Sequence, residues 1–190
     1  MLSPFMDPAG RRISYLRLSV TDRCDMRCLY CMSENMTFLP RDDVLDYDEL
    51  LRLARVFVHQ GVRRLRITGG EPLVRKDIGH FLLALRPLLG QVDEPGRLDE
   101  ITLTTNGSRL AEFAELLVRA GVRRVNVSLD TLDPERFTQL TRRGRLATTL
   151  DGIRAAREAG LAVRINTVAM AGGNDTEFDD LLAWCGEIGA

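Results

Sequence analysis

The fold is decided by a stretch in which a helix end runs into a short strand and then a glycine turn: Gly61-Val62-Arg63-Arg64-Leu65-Arg66-Ile67-Thr68-Gly69-Gly70-Glu71-Pro72. Gly61 suits the left-handed residue that ends a helix, and the segment Arg64–Thr68 alternates apolar and polar side chains as a strand does. The beginning of this stretch recurs further along the chain as Gly121-Val122-Arg123-Arg124-Val125. The recurrence predicts an α/β fold with parallel strands joined by crossover helices.

Working outward from that stretch, the sequence predicts five strands, at 13–20, 64–68, 100–104, 124–128 and 162–168. Helices are predicted from Tyr47 to Gln60, from Asp77 to Pro87, from Ser108 to Gly121, from Pro134, from Thr149 to Ala159, and from Asp175 nearly to Ala190. Asp46 with Glu49 has the spacing of a capping box, and Asp77, Asp133 and Asp175 are predicted helix caps. Residues 90–99 are predicted to form a loop.

The predicted strands are polar on one face, which parallel strands covered by helices on both faces are not. Leu65 and Ile67 oppose Arg66 and Thr68, for example, and an arginine falls on the polar face of three strands: Arg17, Arg66 and Arg164. Unpaired arginines do not suit a packed core, so we expect a barrel-like sheet around a polar ligand, such as a phosphate chain. The alternative, that some of these arginines pair with acids at the strand ends, stays open.

Length, composition and net charge exclude some classes of function but do not select one. The chain has 190 residues, enough for one domain, and its net charge of −1 gives no reason to expect a nucleic-acid partner. The N-terminal run Met1–Pro8 does not resemble a secretory signal, and no apolar run approaches the ~20 residues of a membrane span. We therefore expect a cytoplasmic protein with reduced thiols and no membrane partner; a homodimer stays open.

Three of the four cysteines lie close together after the first predicted strand, in the pattern C-x3-C-x2-C formed by Cys24-Asp25-Met26-Arg27-Cys28-Leu29-Tyr30-Cys31. A structural zinc ion would want a fourth ligand. The candidates are poor, because His59 and His80 fall in predicted helices and Cys185 is far away in the chain. An iron–sulfur cubane held by three thiolates leaves one iron open for catalysis, so it is the favoured interpretation and zinc is the second. Cys185 is interpreted as a small core residue.

The cysteine pattern, with an aromatic before its last cysteine, resembles the radical S-adenosylmethionine superfamily, and so does Thr68-Gly69-Gly70-Glu71-Pro72. The resemblance narrows to the GTP 3′,8-cyclase family of molybdenum cofactor biosynthesis on four stretches: Arg17-Leu18-Ser19-Val20-Thr21-Asp22-Arg23-Cys24, Arg66–Leu73, Thr104-Thr105-Asn106-Gly107 and Asn126-Val127-Ser128-Leu129-Asp130. It implies an incomplete TIM-like (β/α) barrel of the radical SAM type, with about five strand–helix units.

The resemblance also implies cofactors and residue roles. A [4Fe–4S] cluster on Cys24, Cys28 and Cys31 would cleave S-adenosylmethionine to a 5′-deoxyadenosyl radical, which would take hydrogen from C3′ of GTP and lead to closure on C8. The residues implied to meet S-adenosylmethionine are Tyr30, Gly70, Glu71 and Ser128, with Glu71 also anchoring the turn. Those implied to meet GTP are Arg17, Arg66, Thr104 and Arg164, the last at a position where the family usually has lysine.

Further partners follow from the same resemblance: an electron donor of flavodoxin or ferredoxin type, and a downstream cyclic pyranopterin monophosphate synthase. The family also has a second, C-terminal [4Fe–4S] cluster and a paired-glycine tail, neither of which this sequence encodes. We therefore expect residues 1–190 to be one radical SAM core domain that is truncated at its C-terminal end, lacks a sixth strand and is doubtful as a catalyst alone. Two alternatives remain: a radical SAM enzyme with another substrate, and a non-catalytic metal-binding fragment.

Overall fold

A computed structural model describes residues 5–91 and 94–190 as strands alternating with helices. The strands are β1 (Tyr15–Ser19), β2 (Arg64–Thr68), β3 (Glu100–Thr105), β4 (Arg124–Ser128) and β5 (Ala162–Asn166). The helices are α1 (Tyr47–His59), α2 (Ile78–Leu85), α3 (Leu110–Arg119), α4 (Pro134–Thr141), α5 (Leu146–Glu158) and α6 (Phe178–Ile188). Residues 1–4 of the N-terminal run and residues 92 and 93 of the predicted loop lie outside the described part.

The five strands form one parallel sheet in the order β1-β2-β3-β4-β5, so each strand pairs with the next one along the chain. This order confirms the predicted parallel crossovers. Within the described residues, β1 and β5 each pair on one side only, and the sheet therefore stays open, as predicted for an incomplete barrel.

The apolar face of the sheet builds the core, as the alternation predicts. Leu65, Ile67, Leu103, Val125 and Val127 are all at most 1% exposed and belong to one hydrophobic cluster with residues from the helices. The opposite face holds the arginines and polar residues that the sequence places there. The hydrophobic effect therefore fixes which face of every strand the helices cover, and leaves the opposite face polar.

The observed helix ends agree with the predicted ones where the capping residues are close to the helix end in the sequence. Asp46 and Glu49 form the predicted capping box at α1, and Asp133 accepts a hydrogen bond from the Arg136 N–H in front of Pro134 at α4. Gly61 ends α1 with a φ of 100°, and α2 ends at Leu85, before Pro87.

Two predicted helix starts are wrong, and a third helix begins where predicted but lacks its side-chain cap. Asp77 directly precedes α2 as predicted, but it has a left-handed conformation, whereas a capping residue normally has an extended one, and its side chain makes no cap. Asp175 accepts from the Gly172 N–H within its loop, and α6 begins later, after Glu177. Ser108 does not start α3, since its hydroxyl donates to Asp25 across the molecule.

The remaining differences are shifts of boundaries. Helix α5 begins at Leu146 rather than Thr149, β1 and β5 are shorter than predicted, and β3 is one residue longer. Among the described residues, no helix combines the length and apolarity needed to cross a membrane.

Candidate functional site at the cysteine loop

The cysteine loop leaves β1 at the carboxyl edge of the sheet and rests on the end of α4. The Arg27 N–H donates to the Thr141 carbonyl and the Leu29 N–H to the Leu140 carbonyl, both at 2.9 Å. The Cys31 N–H donates to the Cys28 carbonyl at 2.9 Å and closes a tight turn. The loop is therefore held by backbone bonds to a helix more than a hundred residues away in the chain, which no local sequence signal reveals.

The glycine turn after β2 packs against the segment that leads into the cysteine loop. The Gly70 N–H donates to the Thr21 carbonyl and the Glu71 N–H to the Arg23 carbonyl, each at 2.8 Å. A Cβ atom added at Gly70 would lie 2.4 Å from the Arg23 carbonyl oxygen, and one at Gly69 would lie 2.6 Å from that of Thr21. Both glycines therefore allow two segments of the chain to approach closely, while the approach of Gly70 to a cofactor stays a prediction.

Glu71 stabilises this glycine turn through its side chain. Its side chain is fully buried and accepts hydrogen bonds from the Leu73 N–H at 3.0 Å, the Thr105 hydroxyl at 2.9 Å and the Asn106 N–H at 2.6 Å. Burial raises the pKa of Glu71 to about 7, and these donors oppose that rise. With its carboxylate bound to three donors of the chain, Glu71 connects β2 to the end of β3.

A second carboxylate, on Asp25, ties the cysteine loop to the turn after β3. It accepts from the Asn106 side-chain amide at 2.7 Å and from the Ser108 hydroxyl at 2.6 Å. The same amide lies 3.8 Å from the Cys24 sulfur. Sequence reasoning gave no role to these three residues, although Asn106 stands in one of the stretches that carry the family resemblance.

Asp130 connects the other end of the loop to β4 and β5. Its carboxylate is 6% exposed and accepts from the Tyr30 hydroxyl at 2.7 Å and the Val168 N–H at 2.9 Å. Asn174, which is fully buried, donates to the Asp130 and Val168 carbonyls. Burial and the bond to Asp130 raise the pKa of Tyr30. Asp130 and Asn174 were also missed, because neither lies near Tyr30 in the sequence.

The three cysteines of the loop line one region but do not form a site for a single ion. Cys24 and Cys28 are half-buried and Cys31 is exposed. Burial raises the pKa of the Cys24 thiol to about 12, and burial followed by the charge of Asp130 raises that of Cys28. Burial thus opposes ionisation of both thiols, and a bound metal would favour their thiolate forms.

A single tetrahedral zinc ion at about 2.3 Å from each sulfur would bring its ligand sulfurs within about 4 Å of one another. Within residues 5–91 and 94–190, no three His, Cys, Asp or Glu side chains are grouped closely enough to hold a metal ion. The zinc interpretation therefore finds no support. A cubane takes each thiolate on a separate iron and so tolerates a wider spacing, and three sulfur donors are its normal ligands.

The polar face of the sheet lies beside this loop and carries unpaired cations. Arg17 and Arg66 stand opposite each other in register on β1 and β2, and Arg164 stands opposite Asn126 on β5. In the part of the chain that the structure describes, none of these three arginines makes an ion pair. The alternative that they pair with acids at the strand ends is therefore wrong for all three.

Two buried polar atoms on this face have no partner in the described residues: Nε of Arg66 and the hydroxyl oxygen of Thr104. A buried polar atom without a hydrogen bond is costly, and like charges opposite each other on neighbouring strands repel. Ser128, the last residue of β4, also has a free hydroxyl in the described structure. Arg66, Thr104 and Ser128 on this face therefore have groups that can donate hydrogen bonds to a ligand.

Comparison with known proteins assigns the class. The model of the Radical SAM superfamily matches residues 18–185, nearly all of the chain, and the chain belongs to this superfamily. Membership implies a [4Fe–4S] cluster and S-adenosylmethionine as cofactors, and the three sulfur donors described above suit the cluster.

Within the superfamily, the chain is similar to GTP 3′,8-cyclases. It is 58% identical to that of Rhizobium meliloti (strain 1021) over 96% of this chain and 51% of the relative, and 57% identical to that of Brucella ovis over 95% of this chain and 52% of the relative. The chain thus spans about half the length of the curated relatives it matches.

Solved structures support the fold. Streptococcus suis SuiB bound to S-adenosylmethionine matches 93% of this chain and 38% of its own, with a TM-score of 0.71 and 22% identity. Native anSMEcpe with bound AdoMet matches 88% of this chain and 48% of its own, with a TM-score of 0.66 and 15% identity. At these identities the likeness concerns the fold, an open partial barrel.

Proposed function

We propose that this chain is the radical SAM portion of a GTP 3′,8-cyclase, a lyase that converts GTP to (8S)-3′,8-cyclo-7,8-dihydroguanosine 5′-triphosphate in molybdenum cofactor biosynthesis. The observation that carries the proposal is the polar strand face with three unpaired arginines and two buried, unpartnered polar atoms in the described residues. A triphosphate offers several anionic oxygens to guanidinium donors, whereas a neutral substrate offers no charge for them to pair with. The similarity to curated GTP 3′,8-cyclases supports the same substrate.

In this proposal Cys24, Cys28 and Cys31 hold the [4Fe–4S] cluster. S-adenosylmethionine bound there would, with one electron from the reduced cluster, give methionine and a 5′-deoxyadenosyl radical for hydrogen abstraction. Tyr30, fixed by its bond to Asp130, and Ser128, with a free hydroxyl in the described structure, lie at the carboxyl edge where the cysteine loop sits, and we assign both to the cofactor.

Gly70 and Glu71 serve the cofactor site in a different way. Gly70 lets the segment before Cys24 approach the glycine turn, and Glu71 fixes that turn from the buried side. We propose that their contribution to S-adenosylmethionine binding passes largely through the position of the turn, because the carboxylate of Glu71 already has three donors of the chain.

We assign GTP to Arg17, Arg66, Thr104 and Arg164. Arg66 and Thr104 each have a buried atom that lacks a hydrogen bond in the described residues, so a ligand on this face would satisfy both. Arg17 lies beside Arg66 in register, and together they suit neighbouring phosphate oxygens. Arg164 on the open edge strand β5 donates from the opposite side of the face.

The remaining partners belong to the same proposal. We propose that residues 1–190 act as one radical SAM core domain in the cytoplasm. A flavodoxin- or ferredoxin-type protein supplies the electron, and a cyclic pyranopterin monophosphate synthase uses the product. A homodimer is compatible with this assignment.

The test is nucleotide binding and turnover by anaerobically reconstituted protein. Calorimetric titration should show GTP binding that Arg66→Ala weakens at least about tenfold, since a hydrogen bond to a charged group contributes about 1.5–3 kcal/mol. Arg124→Ala is the matched control, because this arginine also lies on a strand but is paired with Glu100 at 2.9 Å. With S-adenosylmethionine and dithionite added, mass spectrometry should detect 5′-deoxyadenosine. It should also detect the 3′,8-cyclised nucleotide when residues 1–190 are part of a chain as long as the curated relatives.

Equal loss of GTP affinity in Arg66→Ala and Arg124→Ala would contradict the assigned phosphate site. Cofactor cleavage stimulated by a peptide and not by GTP would move the protein to another branch of the superfamily. A colourless reconstituted protein containing stoichiometric zinc would refute radical chemistry altogether.

A further inference from the structure

Arg27, between the first two cysteines, is a buried cation that the function assigned above does not use. Its side chain is 7% exposed, and one guanidinium nitrogen donates to the Cys24 carbonyl at 2.6 Å and to the Met26 carbonyl at 2.7 Å. These bonds hold the turn in which the Met26 N–H points at the Cys24 sulfur, 3.4 Å away. The guanidinium of Arg27 is therefore bonded to the backbone of Cys24, the first cysteine of the proposed cluster site.

No carboxylate neutralises this charge in the described part of the chain. Asp25 is bonded to Asn106 and Ser108, and Asp130 to Tyr30 and the Val168 N–H. Asp22 accepts from the Leu39 N–H at 2.7 Å through one oxygen, and its other, buried oxygen has no partner in the described residues, so it makes no ion pair with Arg27. The Nε atom of Arg27 is buried without a partner, and the other neighbour of the guanidinium is the ring of Phe38, whose centroid is 5.0 Å away. A buried cation that only neutral groups contact is costly, and a negative charge at the site would offset part of that cost.

The group that the loop holds would carry that charge. The three thiolates carry one more negative charge than the oxidised cubane core carries positive charge, so the oxidised site has a net charge of −1. A one-electron reduction without proton uptake changes that net charge to −2. Potentials of thiolate-bound clusters depend on net charge, on burial and on hydrogen bonds to sulfur. A fixed cation behind Cys24, together with an N–H directed at its sulfur, stabilises the reduced form more than the oxidised one.

We propose that Arg27 is a positioning residue that makes the cluster easier to reduce, through its buried charge and through the turn that it holds. The inference rests on the cluster site proposed above. Its role differs from that of Arg23, which stacks on the same Phe38 ring at 5.5 Å but is exposed and donates to the Leu39 carbonyl.

The experiment is a redox titration of the reconstituted chain, following the reduced cluster by electron paramagnetic resonance. At a fixed potential, Arg27→Gln should lower the ratio of reduced to oxidised cluster about tenfold, which is about 59 mV for a one-electron couple. Arg27→Lys keeps the charge and should change the ratio less than about threefold. Arg23→Gln removes a positive charge that is exposed to solvent and therefore screened. This variant should also change the reduced-to-oxidised ratio less than about threefold.

A second pair of variants tests the charge without touching the bonds of Arg27. Phe38→Glu places a carboxylate beside the guanidinium, and Phe38→Gln places a neutral group of the same shape there. The carboxylate should lower the reduced-to-oxidised ratio at least about fivefold relative to the glutamine variant, and this comparison decides the matter if Arg27→Gln fails to load iron.

Equal ratios in Phe38→Glu and Phe38→Gln, or an equal shift in Arg27→Gln and Arg23→Gln, would overturn the role of Arg27 while leaving the cluster site intact. A wild-type chain that takes up no iron would instead refute the cluster site itself, and the inference with it. The two failures are thus distinguishable by iron content alone.

Discussion

Replacing Gly70 by alanine tests the contact between the glycine turn and the segment before the cysteine loop. The added Cβ would stand 2.4 Å from the Arg23 carbonyl oxygen and 2.8 Å from that of Asp22, where ordinary contact begins at 3.4 Å. The obstacle is backbone on both sides, so no side-chain rotation relieves it. The two segments must separate by about 1 Å, the difference between 2.4 and 3.4 Å.

The magnitude follows from what that separation breaks. The hydrogen bonds from Gly70 to Thr21 and from Glu71 to Arg23, both 2.8 Å long, would stretch beyond hydrogen-bonding range. Each contributes about 0.5–1.5 kcal/mol, and overpacking itself costs about 1–3 kcal/mol. The gain from a less flexible unfolded chain is only about 0.4–1 kcal/mol. We expect Gly70→Ala to lower the free energy of unfolding by about 2–4 kcal/mol.

Urea denaturation of the metal-free protein measures this change, and a slope of about 2 kcal/mol per molar converts it to a midpoint shift of about 1–2 M. Because Arg23 directly precedes Cys24, iron bound per chain after reconstitution should fall as well. Gly186→Ala is the control: a Cβ at this position of α6 meets nothing within 4 Å, so the midpoint should stay or rise slightly. A Gly70→Ala protein with the wild-type midpoint and full iron content would refute the reasoning.

The remaining predictions concern Glu71, Tyr30 and Arg17. Because burial raises the pKa of Glu71 from 4.5 to about 7, the folded protein holds this proton more tightly than the unfolded chain. Its contribution to stability should therefore be largest below pH 4.5 and decline as the pH rises to about 7. The difference in unfolding free energy between wild type and Glu71→Gln, measured from pH 4 to 8, should follow that decline, and a flat difference would contradict it. Tyr30→Phe removes the 2.7 Å bond to Asp130 and should cost about 1–3 kcal/mol by thermal unfolding, whereas an unchanged melting temperature would show that the bond contributes nothing. Arg17→Ala should weaken GTP binding while leaving cofactor cleavage largely intact, and the reverse pattern would contradict its assignment to GTP.

Where a structural signal is local, the sequence predicted it. The alternation of Leu65 and Ile67 with Arg66 and Thr68 identified both a strand and its two faces, because a strand repeats every two residues. The capping box at Asp46 and the helix end at Gly61 are equally local and were also confirmed. Asp77 and Asp175 failed as caps, since capping depends on backbone angles that neighbouring residue types do not fix.

Of the site, the sequence by itself determined the chemistry: three clustered thiols after β1 and a cation-bearing face across the strands. Only the tertiary structure decided what holds that chemistry in place. Gly70 packs against the backbone of Arg23, Asn106 donates a hydrogen bond to Asp25, and Tyr30 donates one to Asp130. Each contact joins segments that are far apart in the chain. Residue type and spacing fix short-range conformation, but such partners are selected by the packing of the whole sheet and its helices, and no local pattern encodes them.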